Sequence, residues 1–168
     1  QLVPAIVKIL EQHNGHKGII HSVSYDLAQA IFRGAPPSIQ ARLVLPWRND
    51  RAAVIRNFRA TKKPQILLSP ALTTGIDLPY DECRVQVLPK IPFPSTKDPV
   101  RMAQMKTDLG KRLYTADTAM ALAQAYGRGM RAVDDSCTSY LLDTSWEWFR
   151  YAAKAHLPRW LMEAVINS

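Results

Sequence analysis

Apolar residues in this chain come in short runs that alternate with stretches of helical period. Residues 2–13 (LVPAIVKILEQH) carry apolar side chains at three- and four-residue steps and predict a helix that ends before Asn14-Gly15. Lys17–Val23 (KGIIHSV) reads as a buried strand, after which Ser24 is placed to cap a helix over Tyr25–Arg33. Gly34 and Pro36-Pro37 stop that helix. Arg42–Leu45 is a short strand, and Asn49 or Asp50 can cap a helix running to about Arg59. Gln65–Ser69 (QILLS) and Cys83–Leu88 are two further strands, separated by a loop that includes Pro70–Pro79. Prolines from Pro89 to Pro99 exclude regular structure there. Helical segments come next, with Thr115 or Asp117 as cap of the helix that carries Gln124. Ser136–Leu142 (SCTSYLL) is a last strand, and residues 146–166 form one or two amphipathic helices interrupted at Pro158.

Five strands alternating with helices predict an α/β chain, a RecA-like three-layer sandwich with a mostly parallel sheet flanked by helices. At 168 residues the chain is one domain of ordinary size. Its 22 Lys+Arg against 14 Asp+Glu give a net charge of +8, which favours a polyanionic partner, nucleic acid before acidic membrane. No apolar run approaches the ~20 residues needed to span a bilayer, so no membrane partner is expected. Cys83 and Cys137 lack the spacing of a metal site, and buried thiols in a reducing compartment are expected rather than a disulfide. No signal peptide is visible, and a chain that opens on Gln1 rather than Met reads as a fragment of a longer protein.

Chemistry concentrates in Gln124-Ala-Tyr-Gly-Arg-Gly-Met-Arg131. On a helix, Arg128 and Arg131 would project from one face. Two permanently charged planar forks aimed at one point suit a phosphate chain with growing negative charge. Gly127 and Gly129 beside them are unusual in a structural helix, since each costs roughly 1 kcal/mol against alanine. A second element, Ser69-Pro-Ala-Leu-Thr-Thr-Gly-Ile-Asp-Leu-Pro79, leaves the C-terminal end of a buried strand, where open α/β sheets bind ligands. Gly75 lets backbone approach a phosphate, Asp77 can accept from a ribose hydroxyl or orient an arginine, and Thr73 and Thr74 can hold a nucleic-acid phosphate. Alone, this segment reads equally well as an ordinary strand-to-loop turn. No GxxxxGK[ST] phosphate loop occurs in the sequence, and no Asp-Glu pair follows a buried strand. The nucleotide reader therefore needs a cradle from another domain.

Other signals have plainer readings. Arg48, Arg51, Arg56, Arg59, Lys62 and Lys63 could track a nucleic-acid backbone or could form a solvated helix face. Tyr25 and Trp47 could stack on bases or pack. His21, inside an apolar strand, reads as a hydrogen-bonded structural histidine, and Asp134-Asp135 as a turn.

Together the motifs resemble the C-terminal helicase domain of superfamily 2 DNA helicases of the xeroderma pigmentosum group D/DinG type. Gly18–Ala28 is similar to motif IV, Leu68–Pro79 to motif V and Gln124–Arg131 to the Q-x-x-G-R-x-x-R motif VI. Ile91–Pro99 and Tyr140–Asp143 resemble the connection and the strand that accompany them, while Thr74 stands where the family often has Glu. The resemblance implies that Arg128 and Arg131 act as arginine fingers on the γ-phosphate of ATP, with Gln124 positioning them or the nucleotide. It implies nucleotide contacts at Gly75, Asp77 and Gly127, and single-stranded DNA contacts at Ser24, Tyr25, Thr73 and Thr74. ATP with Mg²⁺ would be shared with a first RecA-like domain of the same protein, and any iron–sulfur cluster would lie in that other part. The implied polarity is 5′ to 3′, and the implied location is the nucleoid or cytoplasm of a prokaryote or virus, or a eukaryotic nucleus. The competing class is a degenerate RecA-like module that binds nucleic acid or protein without hydrolysing ATP; an RNA-directed motor would share the ATP chemistry.

Overall fold

The computed structural model describes residues 2–46, 50–70, 76–129 and 134–164. The chain divides into two compact units, residues 1–90 with 126–142 and residues 91–125 with 143–168. In the first unit five strands, β1 (Gly18–His21), β2 (Leu43–Val44), β3 (Ile66–Ser69), β4 (Val85–Leu88) and β5 (Thr138–Leu141), form one sheet in the order β2-β3-β1-β4-β5. Every pairing is parallel, with Ile20 opposite Leu68 on one side and Val87 on the other. Central strands of such a sheet are covered on both faces, which is why β1, β3 and β4 are buried at every position.

Strand alternation then sorts the core into two layers. Ile20, Ile66, Leu68, Val85 and Val87 pack with Ile6, Ile9 and Leu10 of α1 (Leu2–Gln12), Ala28 and Ile31 of α2 (Tyr25–Gly34) and Ile39 of α3 (Pro37–Gln40). Ile19 and Leu67 face the other way, toward Phe58 of α4 (Arg51–Ala60) and toward Ile76, Leu78 and Cys83. Polar side chains finish the helix ends. Ser24 and Asp50 accept from backbone N–H groups in the first turns of α2 and α4. The ammonium of buried Lys17 donates to the Phe58 carbonyl at 2.7 Å, and Arg42 reaches the carbonyl of Leu10 in the last turn of α1 and those of His13 and His16 beyond it.

The second unit holds α5 (Pro99–Gln104), α6 (Asp108–Tyr126) up to Ala125, α7 (Trp146–Ala152) and α8 (Arg159–Ala164). Phe93 stacks on Tyr114 and meets Phe149 edge-on, and the Asp143 carboxylate accepts from the N–H groups of Ile91 and Ser145. Two expectations need correction. Neither Thr115 nor Asp117 caps the helix that carries Gln124, because α6 begins at Asp108. The Thr107 hydroxyl accepts from Gly110 N–H there, while Thr115 donates to the Lys111 carbonyl in mid-helix and Asp117 pairs with Arg101. The helix over Tyr25 stops at Gly34 as expected, and Pro37 then starts a short helix of its own, since proline suits a first helical turn. The α-helix also stops at Tyr126, so Arg128 sits in a 3₁₀ turn, Gly127–Gly129, instead of on a continuing helix.

Candidate functional site

β1 and β3 are parallel neighbours, so His21 and Ser69 end side by side at the C-terminal edge of the sheet. The Ser22 N–H donates to the Ser69 carbonyl at 2.8 Å and extends the pairing one residue past β1. Val23 then adopts φ 55°, a left-handed conformation costly for a β-branched residue. This kink turns the chain abruptly into α2 and leaves Ser24 and Tyr25 exposed at the helix start. Ser24 spends its hydroxyl oxygen on the Leu27 N–H, 3.2 Å away. Thr73, Thr74 and Gly75 lie outside the described residues, as do Trp47, Arg48 and Arg131.

The segment from Ile76 to Leu78 is well anchored. Ile76 and Leu78 are buried, with exposed Asp77 between them. Two guanidiniums hold its backbone from different elements. Arg59 of α4 donates to the Asp77 carbonyl at 2.6 Å and pairs with Glu82, and Arg128 donates to the Ile76 carbonyl at 3.4 Å. Asp77 and Arg128 thus belong to one unit, with Arg128 on the carbonyl of the residue before Asp77. Gln124 is exposed on α6 and belongs to the other unit.

The turn that carries Arg128 is tied to the sheet by a residue that sequence reading missed. Gln86, buried in the middle of β4, donates to the Tyr126 carbonyl at 2.9 Å and to Ser139 Oγ at 2.6 Å. Its oxygen faces His21 Nε2 at 3.4 Å. One amide therefore links β1, β5 and the last residue of α6. The only signal in the sequence was a glutamine inside the apolar run Val85-Gln-Val-Leu88.

His21 is the structural histidine expected. Burial pushes its pKa down to about 4, the hydrogen bond with Gln86 opposes that shift, and the positive charge of Arg128 adds to it. Folded His21 stays neutral well below 6.5, where the unfolded imidazole takes up its proton. Between pH 6.5 and about 4 the unfolded state binds more protons, so stability falls as the pH falls. The slope from this group reaches at most about 1.4 kcal/mol per pH unit. Urea titrations across that window are expected to show a shallower acid limb for His21→Gln than for the wild type; equal slopes would mean that His21 does not set the acid limb.

The two glycines of the turn separate by environment. A Cβ on Gly127 would meet nothing within 4 Å, whereas one on Gly129 would stand 2.6 Å from Cys137 Sγ and 3.4 Å from Cys83 Sγ. Gly129 is therefore needed for packing, and only Gly127 is left without a packing reason. Gly129→Ala is expected to cost about 1–3 kcal/mol through overpacking, with Gly127→Ala close to wild type. Urea midpoints of the two variants check this.

A concavity of about 550 Å³ in the first unit lies by Gly15–Lys17, Arg59–Lys62 and Arg84, near the N-terminal ends of β1 and β4. That is away from the strand ends where Ser24 and Tyr25 stand, and it is a separate place from the arginine turn. Among the described residues, no group of three His, Cys, Asp or Glu side chains could hold a metal ion. No described helix is long and apolar enough to cross a membrane.

Comparison with known proteins gives a consistent result. The family described as Helicase C-terminal domain matches residues 6–164. The ATP-dependent DNA helicase YoaA of Escherichia coli (strain K12) is 24% identical over 144 residues, covering 80% of this chain and 22% of that protein. The ATP-dependent helicase DinG of Mycobacterium tuberculosis (strain ATCC 25618 / H37Rv) is 25% identical over 138 residues, covering 75% of this chain and 21% of its own length. Among solved structures, an XPD helicase superposes with a TM-score of 0.66 at 17% identity, over 90% of this chain and 29% of that one. Xpd4 of S. tokodaii gives 0.59 at 16% identity, over 94% and 33%. These superpositions establish the RecA-like α/β fold. The chain spans about a fifth of the length of the curated relatives it matches.

Proposed function

The chain belongs to the helicase C-terminal domain family, and we propose that it is the second motor domain of an ATP-dependent DNA helicase or translocase. One observation carries the reading. α6 stops at Tyr126, and the turn after it holds Arg128 half-buried against the backbone of Ile76, beside Asp77 and the buried histidine of β1. A guanidinium positioned by a fixed turn can meet developing phosphate charge without reorganising.

In this proposal residues 1–168 act as one part of a longer protein. ATP binds in a cleft between this domain and a first RecA-like domain that supplies the phosphate loop and the magnesium ligands. Arg128 and Arg131 reach the γ-phosphate when the cleft closes, with Gln124 helping to position them or the nucleotide and Gly75, Asp77 and Gly127 lining the nucleotide side. Magnesium would neutralise phosphate charge from the first domain. Ser24, Tyr25, Thr73 and Thr74 grip single-stranded DNA, so that closing and opening alternate the grip and move the strand with 5′ to 3′ polarity. The exposed kink at Val23–Tyr25 supports the DNA assignment, because it presents a hydroxyl and an aromatic ring at the sheet edge where open α/β sheets bind ligands.

Steady-state phosphate release by the full-length protein tests the proposal. Hydrolysis is expected to rise several-fold on adding single-stranded DNA and to lose that stimulation as salt is raised. DNA binding with no hydrolysis at all would favour the degenerate binding module instead.

A further inference from the structure

Cys83 and Cys137 are 54 positions apart in sequence, yet their sulfurs are 3.8 Å apart. Each stands just ahead of a strand, β4 and β5, and those strands are parallel neighbours in which Val85 faces Thr138. The two thiols are free, with Cys83 buried and Cys137 partly exposed. Cys137 also lines a shallow pocket with His13, His16 and Ser136, which gives small solutes access to that side of the pair. A disulfide needs the sulfurs about 2.05 Å apart, so closure requires a movement of less than about 2 Å.

Gly129 covers the pair. A side chain there would collide with Cys137 Sγ and crowd Cys83 Sγ, so the space beside Gly129 is filled by the two sulfurs. Gly129 adjoins Arg128, and drawing the sulfurs together removes the surface on which this turn is packed.

We propose that Cys83 and Cys137 form a reversible oxidation site, in which hydrogen peroxide or a related hydroperoxide closes a disulfide and displaces Gly129 together with the arginine turn. The effect on activity rests on the reading of Arg128 as a nucleotide-facing group; the bond itself does not. The Cys137 sulfur attacks one peroxide oxygen, the O–O bond breaks, and the thiol proton leaves with the other oxygen as water. The Cys83 sulfur then attacks the sulfenic sulfur of Cys137, the S–O bond breaks, and the Cys83 proton leaves with the hydroxide as a second water. Two thiols lose two electrons and the peroxide gains them. The hydrogen bond with Cys137, followed by burial, pushes the Cys83 thiol well above its usual range, in keeping with Cys137 reacting first. A dithiol reductant reverses the bond by exchange.

The full-length protein is treated with hydrogen peroxide and alkylated. Tryptic peptides are then weighed, and DNA-stimulated ATP hydrolysis is measured before oxidation, after it, and after dithiothreitol. The expected result is a Cys83–Cys137 linked peptide and at least a ten-fold fall in hydrolysis, both reversed by the reductant and both absent in Cys137→Ser and in Cys83→Ala. A persistent dimedone-reactive Cys137 with no linked peptide would overturn the proposal, as would a linked peptide with unchanged hydrolysis. Reduced protein that hydrolyses no ATP would refute the ATP-site reading alone, and the linked peptide would then decide the oxidation site by mass.

Discussion

Arg128→Ala in the full-length protein is expected to lower the DNA-stimulated kcat for ATP by about 10³-fold, the scale of a missing arginine finger. Arg128→Lys should rescue little, since a point charge on a flexible stem does not reproduce a planar fork held by a fixed turn. Phosphate release at saturating ATP, with thermal melts alongside, separates lost chemistry from lost structure. A kcat within a few-fold of wild type would sink the finger assignment for Arg128.

The second large effect falls on stability. Asp135 has a fully buried side chain that accepts from the N–H groups of Ser136 at 2.8 Å and Tyr80 at 3.1 Å and from the Arg84 guanidinium at 3.3 Å. It holds Tyr80 at φ 51°, a conformation an aromatic residue rarely keeps without outside support. Asp135→Ala strands two backbone donors and half of a partly buried ion pair, and is expected to cost about 3 kcal/mol. Asp81 pairs with the same arginine at 2.8 Å but is 94% exposed, so Asp81→Ala should cost less than about 1 kcal/mol. Urea denaturation of the two variants decides the matter; equal losses would mean that Asp135 has been given the wrong weight.

The strands were legible because each is a short apolar run bounded by turn residues, and a sheet buried on both faces leaves that imprint. Helix starts were harder. Thr115 and Asp117 look like caps in isolation, but Thr107-Asp108 lies earlier and opens the same helix, leaving the later pair inside it. Of the two caps the sequence offered, Asn49 or Asp50, the Asp50 carboxylate receives the N–H groups of Ala52 and Ala53. Within the site, the arginine and glycine cluster could be read from composition alone, although not the way the α-helix gives out before Arg128. Gln86, Asp135 and the cysteine pair were hidden for a common reason. Each acts through a residue on or just ahead of a neighbouring strand, and strand order is not written in chain order: β4 lies between β1 and β5. Gly129 illustrates the consequence, since beside two arginines it read as part of a nucleotide-reading element and its surroundings show two sulfurs.

If this chain holds one side of an ATP site, another domain must hold the other, and neither should hydrolyse ATP by itself. Complementation measures this: DNA-stimulated ATP hydrolysis is followed for residues 1–168 alone, for the remainder of the protein alone, and for the two mixed. Negligible hydrolysis by either part is expected, with recovery on mixing and no recovery when the mixed chain carries Arg131→Ala. Full recovery with Arg131→Ala, or hydrolysis by the remainder alone at the rate of the mixture, would contradict a site shared between two domains.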